Sequence, residues 1–395
     1  MVEPPKRRSK NVPQNQPELM MSHLPFPVVG IGASAGGLQA LLKFFENMPS
    51  DNGMAFVIIM HLSPDHESSA DKILQTVTRM PVLQVSKPVP IEKNRVYIIS
   101  PAHLLSMNDG HLRVRKPNPS RPRHAAIDLF FRDLADVHKD RAFCLVLSGI
   151  GSDGASGLSR IKEQNGVTIA QSPDDAEYDG MPSSAIATGM VDLILPVAEM
   201  PQKLIELWQN KSNIHLPLVD DPELTAPPPE SQDELMAAEV ALRGVLAQLY
   251  NRTGYDFAHY KRATVLRRIE RRMQVNAQPD MPAYLAYLQS HPEEAKPLLD
   301  DMFIGVTNFF RDREAFEALE RDVIPQLFHF SMDFPGDEKA GIRVWSAGTS
   351  SGEEAFSLAM LLADQVQLEG TQVKIQVFGT DIDERAISVG RAGVY

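Results

Sequence analysis

The sequence predicts an α/β protein: a doubly wound, mostly parallel sheet, followed by a small all-α module and an incomplete Rossmann-like α/β domain. Three observations carry this prediction. Short, continuously apolar runs alternate with helically spaced segments from Pro27 to Gln209; a proline-rich stretch then leads into a block of purely helical patterns; and a strand, helix, strand pattern closes the sequence. At 395 residues, with 43% hydrophobic and 23% charged content, the chain is a globular one of more than one domain.

In order along the chain, residues 1–26 hold basic residues and prolines without an apolar core, which reads as a disordered tail rather than a signal peptide. Residues 27–209 contain the strand runs VVGIGA, MAFVIIMH, RVYIIS, AFCLVLSGIG and GVTIA. Several are too continuously apolar to be half-exposed, so their sheet is expected to be covered on both faces. Between them, LQALLKFFENM, the segment from Ala70 to Met80, AIDLFFRDLADVHKD and LSRIKEQN have helical spacing. Residues 210–231 include Pro227, Pro228 and Pro229 and read as a linker. The all-α module is expected over 232–330. Residues 341–395 supply IRVWSAG, a helix from Gly352 to about Gln365, and VKIQVFGTDID. Two parallel strands do not make an independently stable sheet, so this domain is expected to be cut short.

Composition narrows the function classes. A net charge of −12 opposes general nucleic-acid binding. The single cysteine, Cys144, rules out an internal disulfide and suits a reducing compartment. No run is long enough to span a bilayer, so no membrane insertion and a cytoplasmic location are expected.

Gly30 to Gly36 supports two readings. Gly30-Ile31-Gly32-Ala33-Ser34-Ala35 fits a dinucleotide fingerprint, whereas Gly32-Ala33-Ser34-Ala35-Gly36 fits an elbow that presents a nucleophilic serine. In an open α/β sheet, reactive groups gather at the carboxyl ends of strands. Those ends hold Ser34, His61 and Asp153, the parts of a serine-hydrolase triad. A dinucleotide site wants an acid after the second strand, where this chain has His61. Each piece also has a plainer reading: a strand-to-helix turn for Ser34, a solvated or core side chain for His61, a helix N-cap for Asp153.

Four separated segments, GASAGG around Ser34, VIIMHLSPDH, LSGIGSDGASG and YDGMPSSAIATGMVD from Tyr178 to Asp192, resemble in this order the catalytic domain of the chemotaxis protein-glutamate methylesterases, the CheB family. The resemblance implies hydrolysis of glutamyl methyl esters on methyl-accepting chemoreceptors, often with glutamine deamidation. It makes Ser34 the nucleophile, His61 the base and Asp153 the group that orients it, with neither metal nor cofactor. Ala35 stands where the family often has threonine, and the receiver domain of free-standing members has no place in the tail.

The closing segment has a small-residue loop, Ser346 to Gly352, then Glu353 and Glu354 at the helix start, and Asp381 after the next strand. Two acids there disfavour a phosphate ligand and suit an adenosine ligand without phosphates, such as S-adenosylmethionine. VTNFFRDREAFE, RVWSAGTSSGEEAFSLAMLLA and FGTDIDERAISVGRAGVY resemble the chemoreceptor glutamate methyltransferases, the CheR family. This implies that Thr307, Arg311, Glu354 and Asp381 contact S-adenosylmethionine or the substrate glutamate. Gly305 stands where the family has asparagine. In the helical module Lys261, Arg262, Arg267, Arg268, Arg271 and Arg272 crowd one segment, expected to be a solvated face or, by the resemblance, a docking surface for acidic receptor helices. Two other readings stay open: a receptor-associated scaffold with an inactive methyltransferase part, and an esterase for other carboxyl esters.

Overall fold

The computed structural model describes residues 20–61, 69–101, 103–115, 125–211, 213–217, 231–305, 307–332, 341–371 and 373–394. Most of the expected tail and of the proline-rich linker lies outside these residues. The described chain divides into two compact units, Met1–Met302 and Phe303–Tyr395.

In the first unit the strands are β1 Val28–Ala33, β2 Ala55–Met60, β3 Val82–Val85, β4 Val89–Pro90, β5 Arg95–Ile99, β6 Leu104–Asn108, β7 His111–Arg115, β8 Ala142–Val146, β9 Val167–Gln171 and β10 Leu193–Leu195. Helices are α1 Gly37–Asn47, α2 Ala70–Gln75, α3 Ala126–His138, α4 Gly157–Glu163, α5 Gly180–Ala187 and α6 Met200–Lys211. The main sheet runs β10-β9-β8-β1-β2-β5-β3, with every described pairing parallel. The chain steps from β1 to β2 on one side and later returns with β8 on the other, so the strand order reverses at β1. That reversal opens a crevice at the carboxyl ends of these strands.

β1, β2 and β8 are buried along their whole length, as their continuous apolar runs predict. Their residues divide between two cores. Val29, Ile31, Phe56 and Ile58 pack with Phe44 and Phe45 of α1 and with Leu204 and Leu207 of α6. Val28, Val57 and Ile59 pack with Phe130 and Phe131 of α3. Cys144 is buried in the second core, and burial pushes its thiol well up.

Residues 20–26, assigned to the tail from sequence, are instead fastened to the domain. Met20 N donates to Asn108 Oδ1 at 2.7 Å and Ser22 N to Val137 O at 2.9 Å. These partners are remote in sequence, so local composition carries no sign of them.

The helical module consists of α7 Gln232–Thr253, α8 Arg262–Val275, α9 Met281–Ser290 and α10 Ala295–Met302. It belongs to the same compact unit as the sheet, and Val275 joins the α1–α6 core. Here the structure corrects the reading of the basic segment. Arg268, Arg271 and Arg272 are buried, with Arg271 only 1% exposed. These three form no solvated face, whereas Lys261 and Arg262 at the start of the segment are exposed as that reading expects. Arg271 pairs with Asp192 and Asp301, and its Nε donates to Gly166 O at 3.1 Å. Arg272 holds Glu294 through two hydrogen bonds of 2.7 Å, and Lys162 reaches Asp301 at 3.1 Å. Burial alone would raise the Asp192 carboxyl, but Arg271 and Lys162 outweigh it and hold the group well below the usual carboxylate range. The pairing acids lie far away in sequence, so the local charge pattern could not reveal them.

In the second unit α11 Arg313–Ala318 and α12 Ile324–Met332 precede β11 Gly341–Ala347, α13 Glu353–Glu369, β12 Lys374–Thr380 and α14 Glu384–Ala392. β11 and β12 pair in parallel. Ile342 packs with Ile324, Phe328 and Leu362. Trp345, on the other face of β11, is 69% exposed.

Candidate active site

Register places Ser34 beside His61. Ala33 pairs with Met60, so each residue is the first beyond its strand, and His61 N donates to Ala33 O at 3.4 Å. Ser34 leaves β1 with its N–H donating to Ser148 O at 3.0 Å, beyond the end of β8. The turn then needs Gly36, whose φ of +71° is left-handed and whose Cβ, if present, would lie 2.7 Å from Ser148 Oγ.

Gly32 has a different task. A Cβ there would lie 2.5 Å from Ile127 Cγ2, so the missing side chain lets α3 approach β1. The glycine that suggested a dinucleotide fingerprint is thus occupied in helix packing.

His61 and Asp153 meet directly, Nε2 to Oδ2 at 2.8 Å. A carboxylate only accepts, so Nε2 carries the proton and the basic lone pair of the neutral ring is on Nδ1. Asp153 is 6% exposed. Its Oδ2 also accepts the Ile127 N–H and its Oδ1 the Asp128 N–H, each at 3.0 Å. The carboxylate therefore sits on the positive end of α3, which stabilises its charge in a buried place. Asp153 is not the N-cap of the helix that follows it, where Ser156 holds that position; its carboxylate instead accepts N–H groups in the first turn of α3. Ser34 Oγ makes no hydrogen bond among the described residues, and Ser34 and His61 are both half-buried.

Ser148 is the residue that sequence reading missed. Its hydroxyl contacts Ala35 O at 3.0 Å and Tyr178 N at 3.0 Å, joining the serine loop to the loop before α5. Its N–H is held by Gln171 Oε1 at 2.9 Å, and Gln171 Nε2 in turn donates to Asp175 Oδ2 at 2.9 Å. Ser148 is the second residue after β8, so the strand-end rule could have found it. Asp128 is a second omission: it accepts the Gly157 N–H at 2.6 Å, and burial, with the charge of Asp153 adding, raises its carboxyl.

In the second unit Glu354 meets the end of β11 and Asp381 the loop after it. Asp381 Oδ2 accepts the Ser350 N–H at 2.7 Å, and Glu354 Oε1 accepts from Ser346 Oγ at 2.8 Å. Thr349 Oγ1 is buried without a hydrogen-bond partner among the described residues, and a Cβ at Gly348 would meet nothing within 4 Å. An unpartnered hydroxyl, an open approach and two carboxylates suit a ligand rich in hydroxyl and amino groups, as S-adenosylmethionine is. The segment of Thr307 and Arg311 runs alongside: a Cβ at Gly305 would lie 3.1 Å from Ser350 Oγ, and Phe310 N donates to Ser357 Oγ at 3.0 Å.

Comparison with known proteins follows the same division. Residues 29–204 match the CheB methylesterase family, 241–303 the all-alpha domain of CheR methyltransferase, and 305–395 its SAM binding domain. A Leptospira interrogans protein, provisionally named a protein-glutamate methylesterase/protein-glutamine glutaminase, is 31% identical over 189 residues, which cover 47% of this chain and 96% of that one. The protein of that name from Pyrococcus horikoshii is 32% identical over 47% of this chain and 52% of its own. An uncharacterized 104.1 kDa protein of Rhodobacter capsulatus is 33% identical over 82% of this chain, which spans only 34% of that protein's length. The solved catalytic domain of a Thermotoga maritima CheB methylesterase aligns with a TM-score of 0.43 and 27% identity, covering 46% of this chain and 98% of that one. No described helix is long and apolar enough to cross a membrane.

Proposed function

The chain belongs to the CheB methylesterase family and continues into CheR methyltransferase domains, and from that premise we propose that its first unit hydrolyses glutamyl methyl esters on methyl-accepting chemoreceptors by a Ser34, His61, Asp153 triad. The observation that carries this reading is the hydrogen-bonded pair of half-buried His61 and buried Asp153, with His61 at the register position beside Ser34.

His61 Nδ1 takes the Ser34 proton as Oγ attacks the ester carbonyl, and Asp153 stabilises the imidazolium that forms. The opening of α1 directly after Ser34 offers backbone N–H groups to the developing oxyanion. The imidazolium returns its proton to the methoxide oxygen, methanol leaves, and a glutamyl ester of Ser34 remains. Water, deprotonated by His61, then releases glutamate and restores the serine. The same steps with ammonia as leaving group convert glutamine to glutamate, the second activity in the names of the relatives.

In the second unit Asp381, Glu354 and Thr349, with Thr307 and Arg311 alongside, would hold S-adenosylmethionine. Bound there, it supplies the methyl group for the reverse modification. Asp381 is fixed for this by its bonds to the N–H groups of Ser350 and Asp383.

The test is release of labelled methanol from a methylated chemoreceptor by the parent chain and by Ser34→Ala. Release by the parent, reduced at least about 10³-fold in the variant, is expected. Equal release by both would remove Ser34 from the chemistry.

A further inference from the structure

Beside the proposed nucleophile two exposed apolar side chains stand on a hydrogen-bonded stretch of backbone. Ile150 is 63% exposed and Tyr178 43% exposed. Ile150 follows Gly149, where a Cβ would lie 2.9 Å from Ser34 Cβ, so the Ile150 backbone starts within contact of the serine. Tyr178 is pinned at both ends of its peptide: its N–H donates to Ser148 Oγ at 3.0 Å and its carbonyl accepts the Gly149 N–H at 2.9 Å. Gly149 O accepts the Met181 N–H at 2.8 Å, and a Cβ at Gly180 would stand 3.5 Å from Ile150 Cα. The two side chains are thus mounted on one hydrogen-bonded platform that also carries the Ser34 loop.

Leaving an isoleucine and a tyrosine in water on a fixed backbone has no benefit to the fold. Rigid exposed anchors of this kind are what protein interfaces use, because little side-chain and backbone entropy is lost when they are covered. Ser34 is half-buried and next to the platform that carries these two exposed side chains, so a polypeptide whose glutamyl side chain reaches Oγ passes close to them. Glu177 and Asp179, both exposed, flank Tyr178 in sequence and disfavour further carboxylates close to it.

We infer that Ile150 and Tyr178 form a docking lip for the polypeptide that carries the ester, gripping apolar residues next to the modified glutamate. The occupant is the protein substrate itself, since the lip is continuous with the serine loop. This inference rests on the methylesterase reading and adds what makes that reaction selective for a protein. The lip acts on binding: it sets how well the chain engages a protein ester relative to a small one.

The test compares kcat/KM for a methylated chemoreceptor fragment and for the γ-methyl ester of N-acetylglutamate amide, in the parent, Ile150→Ser and Tyr178→Ala. Both positions are exposed, and thermal melts establish that the variants remain folded. Each substitution is expected to lower the ratio of protein to small-ester turnover by about tenfold, through a raised KM for the protein, as loss of an interface anchor does. An unchanged ratio overturns the lip while leaving the methylesterase reading in place, and so does an equal loss on both substrates. A parent chain that cleaves the small ester but not the receptor fragment overturns the receptor-substrate reading, and the lip with it.

Discussion

The Asp153 carboxylate accepts two N–H groups at the start of α3 as well as the imidazole of His61, so a substitution there touches fold and chemistry together. Asn at this position keeps an acceptor for the helix but loses the charge that steadies an imidazolium. Asp381 is comparable in the second unit: its two oxygens hold the N–H groups of Ser350 and Asp383, which shapes the loop around any adenosyl ligand. Asp381→Ala removes a charged acceptor from both. The expected result in titration calorimetry with S-adenosylhomocysteine is a loss of about tenfold to a hundredfold in affinity; unchanged affinity would mean that the ligand binds without Asp381.

Among the elements, α8 departs furthest from its sequence pattern. Its arginines look like a solvated stripe, yet Arg271 is enclosed by Asp192 of the sheet domain and Asp301 of α10. Removing one member of a buried ion cluster strands the others, at a cost of about 3–5 kcal/mol. Arg271→Ala should therefore lower unfolding stability by that amount in urea titrations of the whole chain, whereas a loss below about 1 kcal/mol would show the cluster to be hydrated. The same contrast explains what the sequence could reveal. β1, β2, β5, β8 and β9 were legible because continuous burial demands continuous apolar runs. The β6–β7 hairpin was overlooked although Asn108-Asp109-Gly110 is a turn signal, with φ of +46° at Asp109 and +67° at Gly110. β3 and β10 are too short and too partly exposed to stand out. The strand-end rule singled out Ser34, His61 and Asp153, of which His61 and Asp153 meet in the structure; it also reaches Ser148, whose hydrogen bonds composition does not display.

For the whole molecule, the helical module is part of the esterase's compact unit rather than a separate body, joined by Val275 in the core and by the arginine cluster. A chain that removes methyl groups with one part and adds them with another would cycle to no effect unless one reaction is favoured at a time. The proposed division of labour stands first on Ser34, His61 and Asp153 working as a unit rather than as a turn, a surface imidazole and a helix cap. The most direct measurement is kcat for methanol release by the parent, Ser34→Ala, Asp153→Asn and the combined variant. Asp153→Asn alone should be slower by about 10⁴-fold, and the combined variant no slower than Ser34→Ala, because the members of a triad fail together. Losses that multiply in the combined variant would contradict the triad and leave Asp153 as the cap of α3.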